Sequence, residues 1–228
     1  MLDSKALLAE AAGWAQTLIG IRRELHQIPE FALDLPKTQA RILAAIEGLG
    51  EITLGKDLTS IALVIRGGKP GPTVLLRADM DALKVEEETG LEYASTNGFM
   101  HACGHDLHMA GAIGAAQILA SHKDELNGDV LIWFQPGEEG HHGADVMIEE
   151  GMLELTGSRP VAAYGLHVFT WLPLGAIACK PGPLMASAGD LHVSFHGSGG
   201  HGSMPWLSKD PVTPMVEAIT ALQNLINK

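Results

Sequence analysis

The chain has 228 residues, of which 46% are hydrophobic and 18% are charged, and its formal net charge is −12. This composition is typical of a globular protein that is large enough to bury a core. The acidic balance argues against a nucleic-acid or anionic-membrane partner, because both need basic patches. No apolar run predicts a membrane span, and the first twenty residues lack the layout of a signal peptide. With two cysteines, Cys103 and Cys179, the chain is expected to belong to a reducing cytoplasm.

Hydrophobic periodicity predicts alternating helices and strands over most of the chain. Apolar residues at helical spacing predict one helix over residues 5–25 and another over 38–49. The elements that follow are a strand at 61–66, a strand at 73–77, a helix over 106–122, a strand at 129–134, a helix over 143–150 and a strand at 161–168. This order favours parallel strands with right-handed crossovers, so we predict an α/β fold with a mixed, largely parallel sheet flanked by helices.

The character of the sequence changes near residues 182–183. Alternating residues predict a half-exposed antiparallel strand at 190–196, which is followed by a glycine-rich loop at 197–203 and a helix over 210–227. One strand and one helix cannot cover their own apolar faces. We therefore predict two domains, 1–183 and 184–228, the second being the start of an α+β domain that continues beyond the chain.

The most informative segment is residues 100–108, which holds one thiol, three imidazoles and a carboxylate. Cysteine and histidine are the ligands that a borderline-soft transition metal prefers, and carboxylates complete such sites. Polar residues also follow the predicted strands: Asp79 and Asp81 come after 73–77, Glu138 and Glu139 after 129–134, and His167 at the end of 161–168. Ligands of α/β sheets bind beyond the carboxyl ends of parallel strands, so we expect these groups to converge there with Cys103 and His105.

This chemistry suits a hydrolase with two metal ions, which polarise a carbonyl group and lower the pKa of water. Because Glu138 and Glu139 are adjacent, they point in different directions, so one can be a ligand while the other acts as the general base. Asp81 is suited to holding a ligand imidazole in one tautomer; its alternative role is to cap the segment that follows.

Five ordered motifs resemble those of the M20 metallopeptidases, and most closely the branch of aminoacylase or hippurate-hydrolase-like amidohydrolases within that family. They are RADMDAL at 77–83, HACGHD at 101–106, QPGEEG at 135–140, GLHV at 165–168 and GGHGSMP at 199–205, and RRELH at 22–26 adds to them. The resemblance implies hydrolysis of an N-acyl amino acid to a carboxylate and a free amino acid. It also implies a zinc-exopeptidase-like catalytic domain interrupted by a ferredoxin-like lid, and a homodimer formed through the lid.

The resemblance assigns a role to each motif residue. Cys103, His105, Glu139 and His167 resemble ligands of two divalent ions, Zn²⁺ or Mn²⁺. Glu138 resembles the general base and Asp81 the acid behind the ligands. His201 resembles a lid histidine that reaches the substrate oxyanion.

The sequence also departs from the pattern of the family. Family members run far longer and carry a last metal ligand near their C-terminus, so we expect that this chain is truncated within the lid. Trp206 stands where histidine is common, and His141 and His142 stand where glycine is usual. These two histidines are expected to be surface residues or adventitious ligands, whereas His108 is expected to pack or to support a ligand.

Two alternatives stay open. Cys103 beside a histidine can serve as the nucleophile of a cysteine hydrolase, although the Glu138–Glu139 pair and His167 then have no clear task. The chain can also be a non-catalytic fragment that binds metal weakly and turns over nothing.

Overall fold

The computed structural model describes residues 3–186, 189 and 191–225. Contacts divide the chain into two compact units, one ending at Leu172 and the other starting at Pro173. The helices of the first unit are α1 (Ser4–Gly13), α2 (Ala15–Gln27), α3 (Pro36–Ile46), α4 (His105–Ser121) and α5 (Gly143–Glu149). Its strands are β1 (Glu51–Leu54), β2 (Ile61–Ile65), β3 (Val74–Asp79), β4 (Val130–Gln135) and β5 (Ala162–Gly165). Among the described residues, no helix is both long and apolar enough to cross a bilayer.

The strands form one sheet in the order β1-β2-β4-β3-β5. β3 pairs in parallel with both β4 and β5, whereas β2 is antiparallel to β1 and to β4. β2 thus runs against the other four strands, and the predicted α/β class with a mixed sheet is confirmed. The carboxyl ends of β3, β4 and β5 meet at one edge.

Helices cover both faces of this sheet because the central strands are apolar on both sides. All residues of β2 and β4 are buried, as expected for strands in the middle of three layers. On one face, Leu63 and Ile132 pack with residues of α2, α3 and α4. On the other face, Val64 and Leu131 pack with Met147 of α5.

Two predicted elements of the first unit need correction, and one observed strand was not predicted. The helix predicted over residues 5–25 is two helices, which separate at Trp14. The Trp14 amide donates to the Ala11 carbonyl oxygen three residues back, as in a 3₁₀-turn, instead of four residues back as in an α-helix. β1 was not predicted, because it is short and all four of its residues are exposed. β5 ends at Gly165 rather than at Val168, which leaves His167 two residues beyond the strand.

The second unit contains the helix α6 (Val212–Leu225), which Asp210 precedes and caps by accepting a hydrogen bond from the Val212 amide at 2.9 Å. The strand predicted at 190–196 is not formed within residues 191–196, and Asp190 lies outside the described residues. A strand requires a hydrogen-bonded neighbour, and the described pairing in this region is a single bridge between Ser198 and Lys209. The assignment of residues 1–183 to a catalytic domain and 184–228 to a lid stays a prediction.

A buried ionic cluster fastens α2 to the start of α4. His26 is 2% exposed, and its Nδ1 donates to Asp106 at 2.7 Å while its Nε2 donates to Glu87 at 3.0 Å. Arg22 adds a second cation 2.6 Å from Asp106. The bond to Asp106 raises the pKa of His26 against the opposing effect of burial, so the imidazolium form is favoured in the folded chain.

Replacement of His26 with glutamine should therefore destabilise the chain by about 1–3 kcal/mol at about pH 6, below the ordinary histidine pKa of about 6.5. Because the pKa is raised in the folded state, this contribution is lost as the pH rises through the folded-state value, and the difference between the two chains should shrink in alkaline buffer. Urea unfolding over a pH series measures it. His122→Gln is the matched control, since the His122–Glu10 pair is only partly buried, with side chains 29% and 31% exposed, and such pairs contribute less than buried ones. A pH-independent difference would contradict the charged state of His26.

Candidate metal centre

The predicted site residues of the first unit gather at the carboxyl edge of the three parallel strands. Asp79 is the last residue of β3, the Glu138–Glu139 pair follows β4, and His167 follows β5. Cys103 and His105 come in from the side, at the start of α4. Four separate segments therefore deliver polar side chains to one place, as expected from the order of the strands along the chain.

The four side chains predicted to bind metal lie within reach of one another. One donor atom each from Cys103, His105 and Glu139 lie within 4.8 Å of one another. The Cys103 Sγ lies 3.3 Å from His167 Nε2, and His105 Nε2 lies 3.9 Å from Glu139 Oε1. A thiol, two imidazoles and a carboxylate at such spacing have the donor chemistry of a zinc-type site.

Both imidazoles present the same nitrogen to this centre. His105 Nδ1 donates to the Asp81 main-chain oxygen at 2.7 Å, and His167 Nδ1 donates to the Val168 main-chain oxygen at 2.7 Å. The Nε2 atom of each ring is thereby left to face the centre, as metal-binding histidines commonly do. His105 Nε2 is buried and has no hydrogen-bond partner in the structure. A buried nitrogen without a partner is costly, and a cation would satisfy it.

Asp81 supports the centre through its main-chain oxygen as well as its carboxylate, which lies 3.6 Å from His105 Nδ1. Its carboxylate oxygens accept the backbone N–H groups of Glu138 and Glu139 at 3.0 and 3.1 Å, whereas its main-chain oxygen holds His105. Burial by itself raises the pKa of Asp81, but the hydrogen bonds to its carboxylate lower it overall. Asp81 therefore stays ionised and fixes both the His105 imidazole and the turn that carries the two glutamates.

The adjacent Glu138 and Glu139 both reach the centre, and Glu138 is the more exposed of the two, at 41% against 28%. Gly137 precedes them with a φ of 67°, a left-handed conformation that glycine adopts without strain. Burial raises the pKa of Glu138, and the charge of Glu139 raises it further. The Glu138 carboxylate lies 3.9 Å from His105 Nε2 at the same centre.

The environment of Cys103 favours a metal ligand over a free nucleophile. Burial and the neighbouring charge of Glu139 raise the pKa of its thiol to about 12. A nucleophilic cysteine needs a lowered pKa, whereas the pKa of the Cys103 thiol is raised. A divalent cation would reverse this balance, because metal ligation deprotonates a thiol.

The remaining predicted histidines have contacts of their own. His201 is in the second unit and is exposed; its Nδ1 accepts hydrogen bonds from the backbone and hydroxyl of Ser203. His141 packs edge-on against Phe31 at 4.9 Å between ring centroids, and His142 lies 3.4 Å from Asp145. Neither His141 nor His142 belongs to the groups of potential metal ligands found among the described residues.

No role was predicted for Arg77 and no partner for Asp79 or His108, and these three residues are linked by hydrogen bonds directly behind the centre. Asp79 accepts hydrogen bonds from both of the others at 2.6 Å. The signal in the sequence is the spacing: Arg77, Asp79 and Asp81 alternate along one strand end, and His108 follows His105 by three residues, on the same side of a helix.

Fold and donor set together define an α/β protein with a candidate transition-metal centre at the carboxyl edge of its sheet. The model of Peptidase family M20/M25/M40 matches residues 75–227, and the chain belongs to this family. The predicted family is thereby confirmed.

Named relatives are similar over most of the chain. N-acetyldiaminopimelate deacetylase of Listeria welshimeri is 42% identical over 213 residues, which cover 92% of this chain and 56% of that protein. N-acetyl-L-cysteine deacetylase of Bacillus subtilis is 40% identical over 213 residues, which cover 92% of this chain and 50% of that protein. The chain thus spans about half the length of the curated relatives it matches.

A solved structure agrees with the fold. The Bacillus subtilis YXEP protein, described as a dinuclear metal binding peptidase from the M20 family, matches with a TM-score of 0.71 at 39% identity. The match covers 76% of this chain and 48% of that one. It supports the binding of divalent metal by a protein of this fold.

Proposed function

We propose that this protein is a metal-dependent amidohydrolase that cleaves the amide bond of N-acyl amino acids. The observation that carries the proposal is the convergence of Cys103, His105, Glu139 and His167 at the carboxyl edge of the sheet, with the two Nε2 atoms turned inward. The names of the two relatives, both deacetylases of N-acetylated amino acids, support this substrate class.

These four residues are the proposed ligands of two divalent ions. The thiol and imidazole donors favour Zn²⁺ on grounds of softness, and Mn²⁺ is the alternative. When bound, such a pair supplies Lewis acidity that polarises the amide carbonyl and makes water more acidic.

Glu138 is the proposed general base. Its raised pKa suits a group that takes a proton from the attacking water and returns it to the departing amide nitrogen. Water adds to the carbonyl carbon, the C–N bond breaks, and the products are a carboxylic acid and a free amino acid. Asp81 keeps Glu138 in place through its backbone amide.

His201 is the proposed oxyanion residue of the lid. Since the Ser203 amide donates to His201 Nδ1, the ring proton sits on Nε2, where it can be donated to a developing negative charge.

We also propose a cytoplasmic protein with a small-molecule substrate, without nucleic-acid or membrane partners. A homodimer would form through residues 184–228, where Val193 and Ile219 are 55% and 53% exposed and would be covered.

Removal of metal should abolish hydrolysis. The chain is stripped with a chelator and reloaded with Zn²⁺ or Mn²⁺. Its ions are counted by mass spectrometry, and amine release is followed from N-acetyl-L-cysteine, N-acetyldiaminopimelate and other N-acetyl amino acids. We expect hydrolysis in the reloaded samples and none in the stripped one.

Each alternative has its own signature in this assay. Activity that persists with metal content near zero would contradict the proposal. An acyl group trapped on Cys103 would favour the cysteine hydrolase, in which Cys103 is the nucleophile. Bound ions without turnover of any substrate would favour the non-catalytic alternative.

A further inference from the structure

A buried polar network lies behind the proposed metal centre. Arg77 donates through Nε to Gln135 Oε1 at 2.8 Å and through a terminal nitrogen to Asp79 Oδ2 at 2.6 Å. The Asp79 side chain is 2% exposed, and its backbone at the end of β3 pairs with Gln135 of β4. Asp79 is therefore a rigid anchor with one carboxylate oxygen, Oδ1, left for another partner.

His108 bonds that oxygen through one ring nitrogen and bonds a backbone amide through the other. Its Nδ1 lies 2.6 Å from Asp79 Oδ1, and its Nε2 accepts the backbone N–H of Val168 at 3.0 Å. A nitrogen that accepts an N–H bond carries no proton, so the ring is neutral with its proton on Nδ1. No lone pair is left for an ion. His108 is thus not a ligand, even though Asp79, His105 and His108 lie close enough together to suggest a second cluster.

The Val168 amide matters because His167 precedes it. β5 ends at Gly165, so strand pairing does not hold the His167 backbone. The preceding residue, Leu166, is 73% exposed, so its side chain adds little packing that would hold the His167 backbone. The His167 ring rests against the His108 ring at 4.9 Å between centroids, and it points Nε2 at Cys103. The bond from His108 to the Val168 amide ties this segment directly to α4.

We propose that His108 is a positioning residue that transfers the fixed position of Asp79 to His167 through the Val168 amide. This inference rests on the metal centre proposed above. It assigns His108 no contact with the ions or the substrate, and its loss should act on metal affinity through His167.

Two substitutions separate this role from simple packing. His108→Asn keeps a donor near the place of Nδ1 and can still satisfy Asp79, but it is too short to reach Val168. His108→Gln places a carbonyl oxygen near the place of Nε2 and can still accept the Val168 N–H. We expect Zn²⁺ affinity to fall by about tenfold or more in His108→Asn, and by less in His108→Gln. A role limited to satisfying buried Asp79 predicts the opposite order.

The measurements are competition titration of Zn²⁺ against a chromophoric chelator, thermal unfolding of the metal-free chains, and hydrogen exchange of the Val168 amide by NMR. His122→Gln, at the far end of α4, is the matched control and should leave affinity unchanged. In the metal-free chain, the Val168 amide should be protected, and His108→Asn should remove that protection while His108→Gln retains it.

The outcomes are separable. Equal Zn²⁺ affinity of His108→Asn and the unaltered chain, or affinities that follow thermal stability with asparagine above glutamine, would overturn the positioning role. An unprotected Val168 amide in the unaltered chain would also overturn it. If the unaltered chain bound no Zn²⁺, the proposed centre would be wrong, and the exchange of Val168 would still decide whether His108 holds this segment.

Discussion

Replacement of Cys103 with serine should lower the affinity of the chain for Zn²⁺ by about 100-fold or more, beyond the roughly 10–100-fold typical of residues that only support ligands. Serine has nearly the same shape, but its hydroxyl does not ionise as a thiol does beside a cation. The centre would then lose the soft donor that lies 3.3 Å from His167 Nε2. Competition titration with a chromophoric chelator measures the affinity. In the Co²⁺-loaded chain, the charge-transfer absorption of a thiolate ligand should be present and should vanish in the variant.

Cys179→Ser is the matched control for this experiment, because Cys179 is the other free cysteine and is exposed in the second unit. It should change neither the affinity nor the spectrum. A chain whose Zn²⁺ affinity survives the loss of Cys103 would contradict the proposed ligand set, whatever its activity.

The second large effect concerns the two adjacent glutamates. Glu138→Gln should reduce hydrolysis by about 10²–10⁴-fold while leaving the ions bound, because the amide keeps the shape of the base but cannot take a proton. Glu139→Gln should instead weaken metal binding, because it neutralises the carboxylate grouped with Cys103 and His105. Paired measurements of metal content and amine release distinguish these two roles.

Glu88→Gln, at an exposed position outside the centre, is the control and should behave as the unaltered chain does. Metal loss in Glu138→Gln with metal retention in Glu139→Gln would reverse the proposed division of labour. This test on metal content holds even where hydrolysis is too slow to measure.

Long, strongly patterned elements could be predicted from the sequence, and marginal ones could not. The fully apolar runs of β2 and β4 and the small-residue helix α4 were identified close to their observed bounds. β1 was not predicted, because the formation of this short exposed strand depends on its pairing with β2 more than on its own composition. The strand predicted at 190–196 failed for a related reason, since an alternating pattern alone supplies no hydrogen-bonded neighbour in the described residues.

The candidate site shows the same division. The proximity of Cys103, His105, Glu139 and His167 followed from one topological argument, since the ends of parallel strands share an edge. The actual contacts of Asp81 did not follow from it. Which oxygen of Asp81 holds His105, and which oxygens hold the glutamate amides, depends on ångström-scale geometry of a turn.

The sequence by itself determined the kinds of atoms available and the edge at which they gather, because residue chemistry and strand order are written along the chain. Only the tertiary structure decided how each imidazole is turned and that His108 is consumed by Asp79 and Val168. Those outcomes depend on hydrogen bonds between residues up to 60 positions apart. Such bonds require defined distances and angles, which are set when the helices and strands pack together and cannot be inferred from a local sequence pattern.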